Sequence, residues 1–176
     1  MKIEIRKAEI KDAIDIAKIQ TKTWLTTYKG IIPDDVLKER TMFNDSKINR
    51  FKDHINSNQH FLVASVDDKV VGYIWYGKST LQELKELGEI HAFYILNEYQ
   101  KMGIGRKLFN AAVNGLINDG YNKMDLTVAV GNDNALNFYI KMGGRIDHNR
   151  FDEQFKTEDN IIIFDNLQSI IDNNEK

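Results

Sequence analysis

Ile3 and Ile5 alternate with Lys2, Glu4 and Arg6, a period of two that predicts a short strand with one buried face. From Asp12 the spacing changes. Ala13, Ile14, Ile16, Ala17, Ile19, Trp24 and Leu25 fall near helical intervals, with Asp12 placed to cap the first turn and Tyr28-Lys29-Gly30 placed to end the helix. Pro33, the only proline, suits the first turn of a second helix through Asp34, Asp35, Val36 and Leu37. Residues 44–58, carrying Ile48, Phe51 and Ile55, read as a third and weaker helix. Two β-rich runs, 61–66 and 70–76, flank Asp67-Asp68-Lys69 and predict a hairpin. After a polar connection over 79–87, residues 88–96 form the run densest in apolar side chains and are placed at the centre of a sheet. Ile104, Leu108, Phe109, Ala111, Ala112, Leu116 and Ile117 then keep helical spacing up to Asp119-Gly120, and 124–130 reads as a strand, completing a right-handed strand–helix–strand crossover. A helix over 132–142 stops at Gly143-Gly144, and 145–151 with 159–164 predicts a last hairpin.

Composition narrows the class without changing this outline. The chain has 176 residues, 42% of them hydrophobic, enough for one packed domain, assigned to 1–166, with 167–176 as a polar tail prone to fraying. Twenty-four basic residues against 26 acidic ones leave a charge of -2, so a nucleic-acid partner is not expected. No cysteine means no disulfide, no thiolate metal site and no cysteine acyl-enzyme. The charged N-terminus lacks a signal-peptide pattern, and the apolar runs 92–96 and 161–164 are far short of a membrane span, so a cytoplasmic protein without a membrane partner is expected. His54, His60 and His148 are scattered, and no metal is expected.

The chemistry concentrates in Gln100-Lys101-Met102-Gly103-Ile104-Gly105-Arg106, between the central strand and an amphipathic helix. A helix start leaves about four N–H groups without intrahelical partners and carries partial positive charge, and glycines there let a phosphate approach the backbone. The letters exclude two better-known loops. A Walker A loop needs Gly-Lys-Ser/Thr where 108–110 is Leu-Phe-Asn, and the Rossmann fingerprint needs a third glycine where Leu108 stands.

The segment resembles the Gln/Arg-x-x-Gly-x-Gly/Ala loop of the GCN5-related N-acetyltransferases. Residues 89–100 are similar to that family's fourth strand and its exit, and 132–143 to its asparagine-to-Phe-Tyr-to-glycine helix. Trp24, Tyr28, Gly30, Ile31 and Pro33 resemble an N-terminal pattern of one branch. Asn97 stands in place of a common proline, and Lys101-Met102 in place of a frequent Gly-Lys. The resemblance implies an α/β fold of α+β type, a mixed, mainly antiparallel, splayed sheet flanked by helices. It also implies an enzyme that moves an acetyl group from acetyl-CoA directly to a primary amine, on a small molecule or a peptide, in a ternary complex; a homodimer is common in the family. On this reading Phe93, Tyr94 and Ile95 contact the pantetheine arm and Gln100, Lys101, Met102, Gly103, Ile104, Gly105 and Arg106 hold the pyrophosphate. An N–H near Ile95 faces the thioester carbonyl, and Asn132 lies near the thiol.

A lysine-like amine, pKa about 10.4, is neutral only in about one part in a few thousand at pH 7, so its proton must be taken. By the period-two rule Glu89, His91, Phe93 and Ile95 share one strand face, and either Glu89 or His91 can serve as the base. Tyr139 is placed by the resemblance against the sulfur as general acid, with Phe138 as the core residue of the pair. Trp24 and Tyr28, four apart, either line the acceptor pocket or pack on the sheet, and Asp34, Asp35 and Glu39 are either acceptor-side acids or a solvated helix face. A non-catalytic acyl-CoA sensor, or an interaction domain of the same fold, is the alternative function.

Overall fold

The computed structural model describes residues 2–57 and 60–174. Seven strands form one sheet: β1 (Ile3–Lys7), β2 (His60–Val66), β3 (Lys69–Lys78), β4 (Gly88–Ile95), β5 (Met124–Ala129), β6 (Arg145–Asp152) and β7 (Thr157–Phe164). Their spatial order is β1-β2-β3-β4-β5-β7-β6, which puts β4 in the middle. All neighbours are antiparallel except β4 and β5. The hairpin between β2 and β3 turns on Asp67 and Asp68, both left-handed (φ 46° and 67°).

Six helices cover the faces: α1 (Ala13–Thr27), α2 (Asp34–Arg40), α3 (Asp45–Asn56), α4 (Ile104–Asn118), α5 (Asp133–Lys141) and α6 (Leu167–Asn174). On one face Leu108, Phe109, Ala112 and Leu116 of α4 pack on Ile74, Ile90, Leu126 and Ile162. On the other, Ile16, Ala17 and Ile19 of α1 and Phe51 of α3 pack on Phe61, Val63 and Tyr73. The hydrophobic spacing of each helix is therefore spent on one buried stripe.

Four readings from the sequence are corrected. Asp12 does not cap α1: its carboxylate takes two bonds from the Arg6 guanidinium, at 2.7 and 2.9 Å, and the Glu9 N–H. The third helix is capped by the Asn44 side chain and ends at Asn56; Asn58 lies outside the described residues. The polar end of the chain is not a bare tail, because Leu167 and Ile170, three apart, seat α6 in the α4-side core; residues 175–176 lie outside the described ones. Finally, β4 carries a bulge. Trp75 pairs with Ala92 but Tyr76 pairs with Ile90, so His91 is the extra residue. One added residue reverses the alternation. Glu89 and His91 therefore lie on the face of Ala92 and Tyr94, while Phe93 and Ile95 pack on the α4 side with Ile90.

Candidate active site

β4 and β5 pair over three positions only, Gly88 with Met124, Glu89 with Asp125 and Ile90 with Leu126, and then part. Beyond that point β4 keeps bonding to β3 alone; the N–H of Leu96 reaches the Val71 carbonyl at 2.9 Å. Because main-chain groups alternate along a strand, the N–H and C=O groups of Phe93 and Ile95 point the other way, into the gap. The Gln100 amide donates to the Ile95 carbonyl at 3.1 Å and to Asn97 Oδ1 at 3.1 Å, tying the loop to the strand end.

The loop then opens α4. Lys101 (φ 61°) and Gly103 (φ 80°) are both left-handed. Gly103 stands at the helix cap without a side-chain cap bond, and the first turn holds no acidic residue. The leading amides of α4 thus have neither an intrahelical partner nor a capping side chain, and Arg106 adds positive charge on the exposed side. Gly105 sits against the gap: a methyl there would touch Ile95 at 3.5 Å and Phe93 and Phe138 at 3.8 Å. A methyl on Gly103 would meet nothing within 4 Å. The half-exposed Met102 and the buried Ile104 frame the turn.

Across the gap stands α5. Tyr139 is 8% exposed and is ringed by Phe138, Phe109 and Phe93 at 5.4, 6.0 and 6.4 Å. Burial holds its hydroxyl above the ordinary tyrosine range, so it is a neutral donor at all working pH values. Phe138 packs on the core through Phe93 and Phe109 and flanks the gap beside Gly105, while Tyr139 is the more buried of the pair. The Asn132 side chain accepts the Ala135 N–H at 3.4 Å and so caps α5.

On the other face, a cleft of about 440 Å³ runs from α1 to the start of the gap, reaching Ala92 of β4 and Thr127 and Ala129 of β5. Trp24 and Tyr28 both line it and both pack, 4.7 Å apart, which joins the two roles left open for them. Tyr94 faces this cleft rather than the gap, its hydroxyl 3.3 Å from that of Tyr28, and Phe155 closes the aromatic wall 5.4 Å from Trp24. The Trp24 indole N–H is buried and acts on the Tyr94 hydroxyl without completing a hydrogen bond of good geometry. Asp34, Asp35 and Glu39 are exposed on α2; the cleft acids are Glu89, Asp152 and Asp159, facing Arg40, Arg50 and Arg150. Sequence spacing does not reveal Asp159 or Phe155, which the β6–β7 hairpin carries to the cleft from some 130 positions away from Trp24 and Tyr28.

Glu89 and His91 stand at the cleft floor. Glu89 Oε2 accepts the Thr80 N–H and, at 2.8 Å, its hydroxyl; Oε1 lies 3.3 Å from His91 Nδ1. Burial opposes the charge on Glu89, but His91 and Thr80 outweigh it and leave the carboxyl below the usual glutamate range. Such a carboxylate is a weak base and a firm anchor for the imidazole. Trp75 packs on His91 at 4.7 Å. Among the described residues no group of three or more His, Asp or Glu side chains is arranged to hold a metal ion, and no helix is long and apolar enough to cross a membrane.

Residues 18–143 match the Acetyltransferase (GNAT) family. The chain belongs to the GNAT family of acetyltransferases. An uncharacterized N-acetyltransferase of Bacillus subtilis, YuaI, is 28% identical over 153 residues, 85% of each chain. A spermidine N(1)-acetyltransferase of Thermoplasma acidophilum is 26% identical over 151 residues, 84% of this chain and 91% of the relative. Among solved structures, a PaiA N-acetyltransferase of Thermoplasma acidophilum in complex with coenzyme A superposes with a TM-score of 0.74 at 24% identity, over 93% of this chain and 98% of that one. YncA of Salmonella typhimurium, with acetyl-CoA, gives 0.73 at 19%, over 95% of each. This GNAT chain shares their mixed, mostly antiparallel open sheet flanked by helices.

Proposed function

We propose that this GNAT enzyme transfers the acetyl group of acetyl-CoA directly to a primary amine bound in the aromatic cleft. The observation that carries the reading is the adjacency of two openings on opposite faces of β4. One is a strand gap ending at free helix amides; the other is a cleft whose floor holds Glu89 and His91. The amides of Gly103 to Arg106 bind the diphosphate, with Lys101 and Met102 shaping the turn and Gln100 holding it to the strand. The backbone of Phe93 and Ile95 pairs with the pantetheine arm as a missing strand would, and the Ile95 N–H donates to the thioester oxygen as negative charge develops there. Asn132 keeps α5 in register so that Tyr139 reaches the sulfur.

The acceptor arrives as an ammonium ion. His91, oriented through Nδ1–H by the anchored Glu89 carboxylate, accepts its proton at Nε2, directly or through water. The neutral amine attacks the thioester carbon, the C–S bond breaks, and the surplus proton on the new amide nitrogen passes to the departing sulfur. The departing thiolate, with a pKa of about 8.5 as for an ordinary thiol, takes a hydrogen bond from the neutral Tyr139 hydroxyl. Trp24, Tyr28, Tyr94 and Phe155 offer faces to a cation, and Asp152 and Asp159 its counter-charge. The polyamine acceptor named for the Thermoplasma relative fits that chemistry, as does a peptide N-terminus.

The test is thiol release from acetyl-CoA with a panel of spermidine, amino acids and short peptides. Release with at least one amine, matched by acetylated product, is the expected result. Tight coenzyme A binding without release for any amine makes the chain an acyl-CoA sensor instead.

A further inference from the structure

Where β4 and β5 begin to part, two carboxyl groups are set level with each other: Glu89 pairs with Asp125 in the parallel register. Side chains at level positions of neighbouring strands share a face. Their surroundings differ sharply. Glu89 receives donors from Thr80 and His91. Asp125 is 0% exposed, and the Ser79 hydroxyl is the one neutral side-chain donor that acts on it, without completing a hydrogen bond of good geometry to either oxygen. Buried polar atoms are nearly always bonded, so a fully enclosed carboxyl this poorly supplied with donors requires a reason.

Two adjacent carboxyls in an enclosed site do not both ionise readily; Glu89, with three donors, keeps the charge, and Asp125, with Ser79 alone, is the one that keeps the proton. The titratable groups acting on Asp125 are Glu89 and His91 of β4. Ser79 approaches from the segment after β3, and the β7 partner, Ile163, brings no charge. Burial, helped by the Glu89 charge, pushes the Asp125 carboxyl up to about 7 against the opposing pull of the Ser79 hydroxyl and of His91.

We propose that Asp125 is a positioning residue that holds a proton beneath Glu89 and His91 and, by releasing it, sets how strongly that pair draws a proton from the acceptor amine. This rests on the reading of Glu89 and His91 as the proton-accepting pair. With Asp125 neutral, the cluster carries one negative charge, on Glu89, and His91 is free to accept at Nε2. When Asp125 ionises, a second negative charge stands below the pair, and the imidazolium that forms as the amine gives up its proton gains a second counter-charge. The proton taken from the amine resides on His91; that of Asp125 does not enter the product.

The experiment is an NMR pH titration of the full chain, with carboxyl-labelled aspartate. The wild-type Asp125 carboxyl, assigned through its backbone, stays protonated at about pH 6 and ionises near neutrality. In Glu89→Gln its midpoint falls by about one unit. The Glu89→Gln arm stands even if Asp125→Asn does not fold. In kcat/KM, the acid limb spans two proton steps in wild type and one in Asp125→Asn. An Asp125 carboxyl already ionised at about pH 5, an Asp125 midpoint indifferent to Glu89→Gln, or an acid limb unchanged in an Asp125→Asn variant that merely melts earlier overturns the proposal. The NMR titration needs no turnover, so its failure is told apart from failure of the acetyltransferase reading, which shows as no thiol release.

Discussion

Gly103→Ala tests the anion site with an internal control. Gly103 caps α4 at φ 80°, and an added methyl meets nothing within 4 Å, so its cost to the fold is conformational alone. A left-handed alanine costs about 1 kcal/mol, which for a chain of this size lowers Tm by about 2–4 °C. Gly120, just past the other end of the same 15-residue helix, has φ 93° and the same empty surroundings. At about 1.5 Å per residue, that end is about 22 Å away from the proposed diphosphate site. Gly120→Ala therefore carries the same stability cost and none of the binding cost. At Gly103 the methyl and the shifted turn take at least one amide away from the diphosphate. One charge-assisted hydrogen bond is worth about 1.5–3 kcal/mol, so Kd for coenzyme A rises about 10- to 100-fold. Calorimetric titration with coenzyme A and melting curves on the three proteins decide it. Equal Tm losses with unequal affinities are expected. If Gly103→Ala binds coenzyme A as the wild type does, the helix-start site is refuted.

Tyr139→Phe keeps the ring contacts to Phe93, Phe109 and Phe138. Its Tm should stay within a few degrees while kcat drops about 100-fold; an unchanged kcat would remove Tyr139 from the chemistry. Glu89→Gln loses the charge that orients His91, so kcat/KM falls by about tenfold or more with coenzyme A affinity intact; a loss confined to coenzyme A binding would contradict the assignment. The Arg6–Asp12 pair predicts acid sensitivity. Burial works against the Asp12 charge, but Arg6 and the Glu9 N–H prevail and set its pKa below the usual aspartate value. Its stabilisation is thus complete above the unfolded pKa and is lost as pH falls through the lowered folded value. Arg6→Met costs about 2 kcal/mol at pH 7, less than for a fully buried pair because Arg6 is partly exposed, and the cost shrinks at acid pH; a pH-independent loss in denaturant melts would argue for packing instead.

What the sequence discloses about this fold is what is locally determined. The strand, loop and helix over residues 88–118 are readable because the glycine turn, the free amides and the apolar stripe of α4 all lie within some thirty consecutive positions. Non-local facts escape. The bulge at His91 depends on the register between β3 and β4, so strict alternation put Glu89 and Phe93 on one face when they lie on opposite ones. Leu167 and Ile170 look incidental in a polar stretch until α4 offers them a surface. The aromatic cleft joins α1 to the last hairpin, and the burial of Asp125 follows only from β5 lying between β4 and β7.

The central claim is that a thioester arm lies in the gap between β4 and β5 with its diphosphate on the start of α4. A crystal structure of the chain grown with coenzyme A tests it most directly. The account predicts diphosphate oxygens about 2.7–3.2 Å from the amides of residues 103–106, the pantetheine arm along Phe93 and Ile95, and the sulfur at the Tyr139 hydroxyl. Coenzyme A seated in the aromatic cleft, or a diphosphate held by side chains alone, would contradict it.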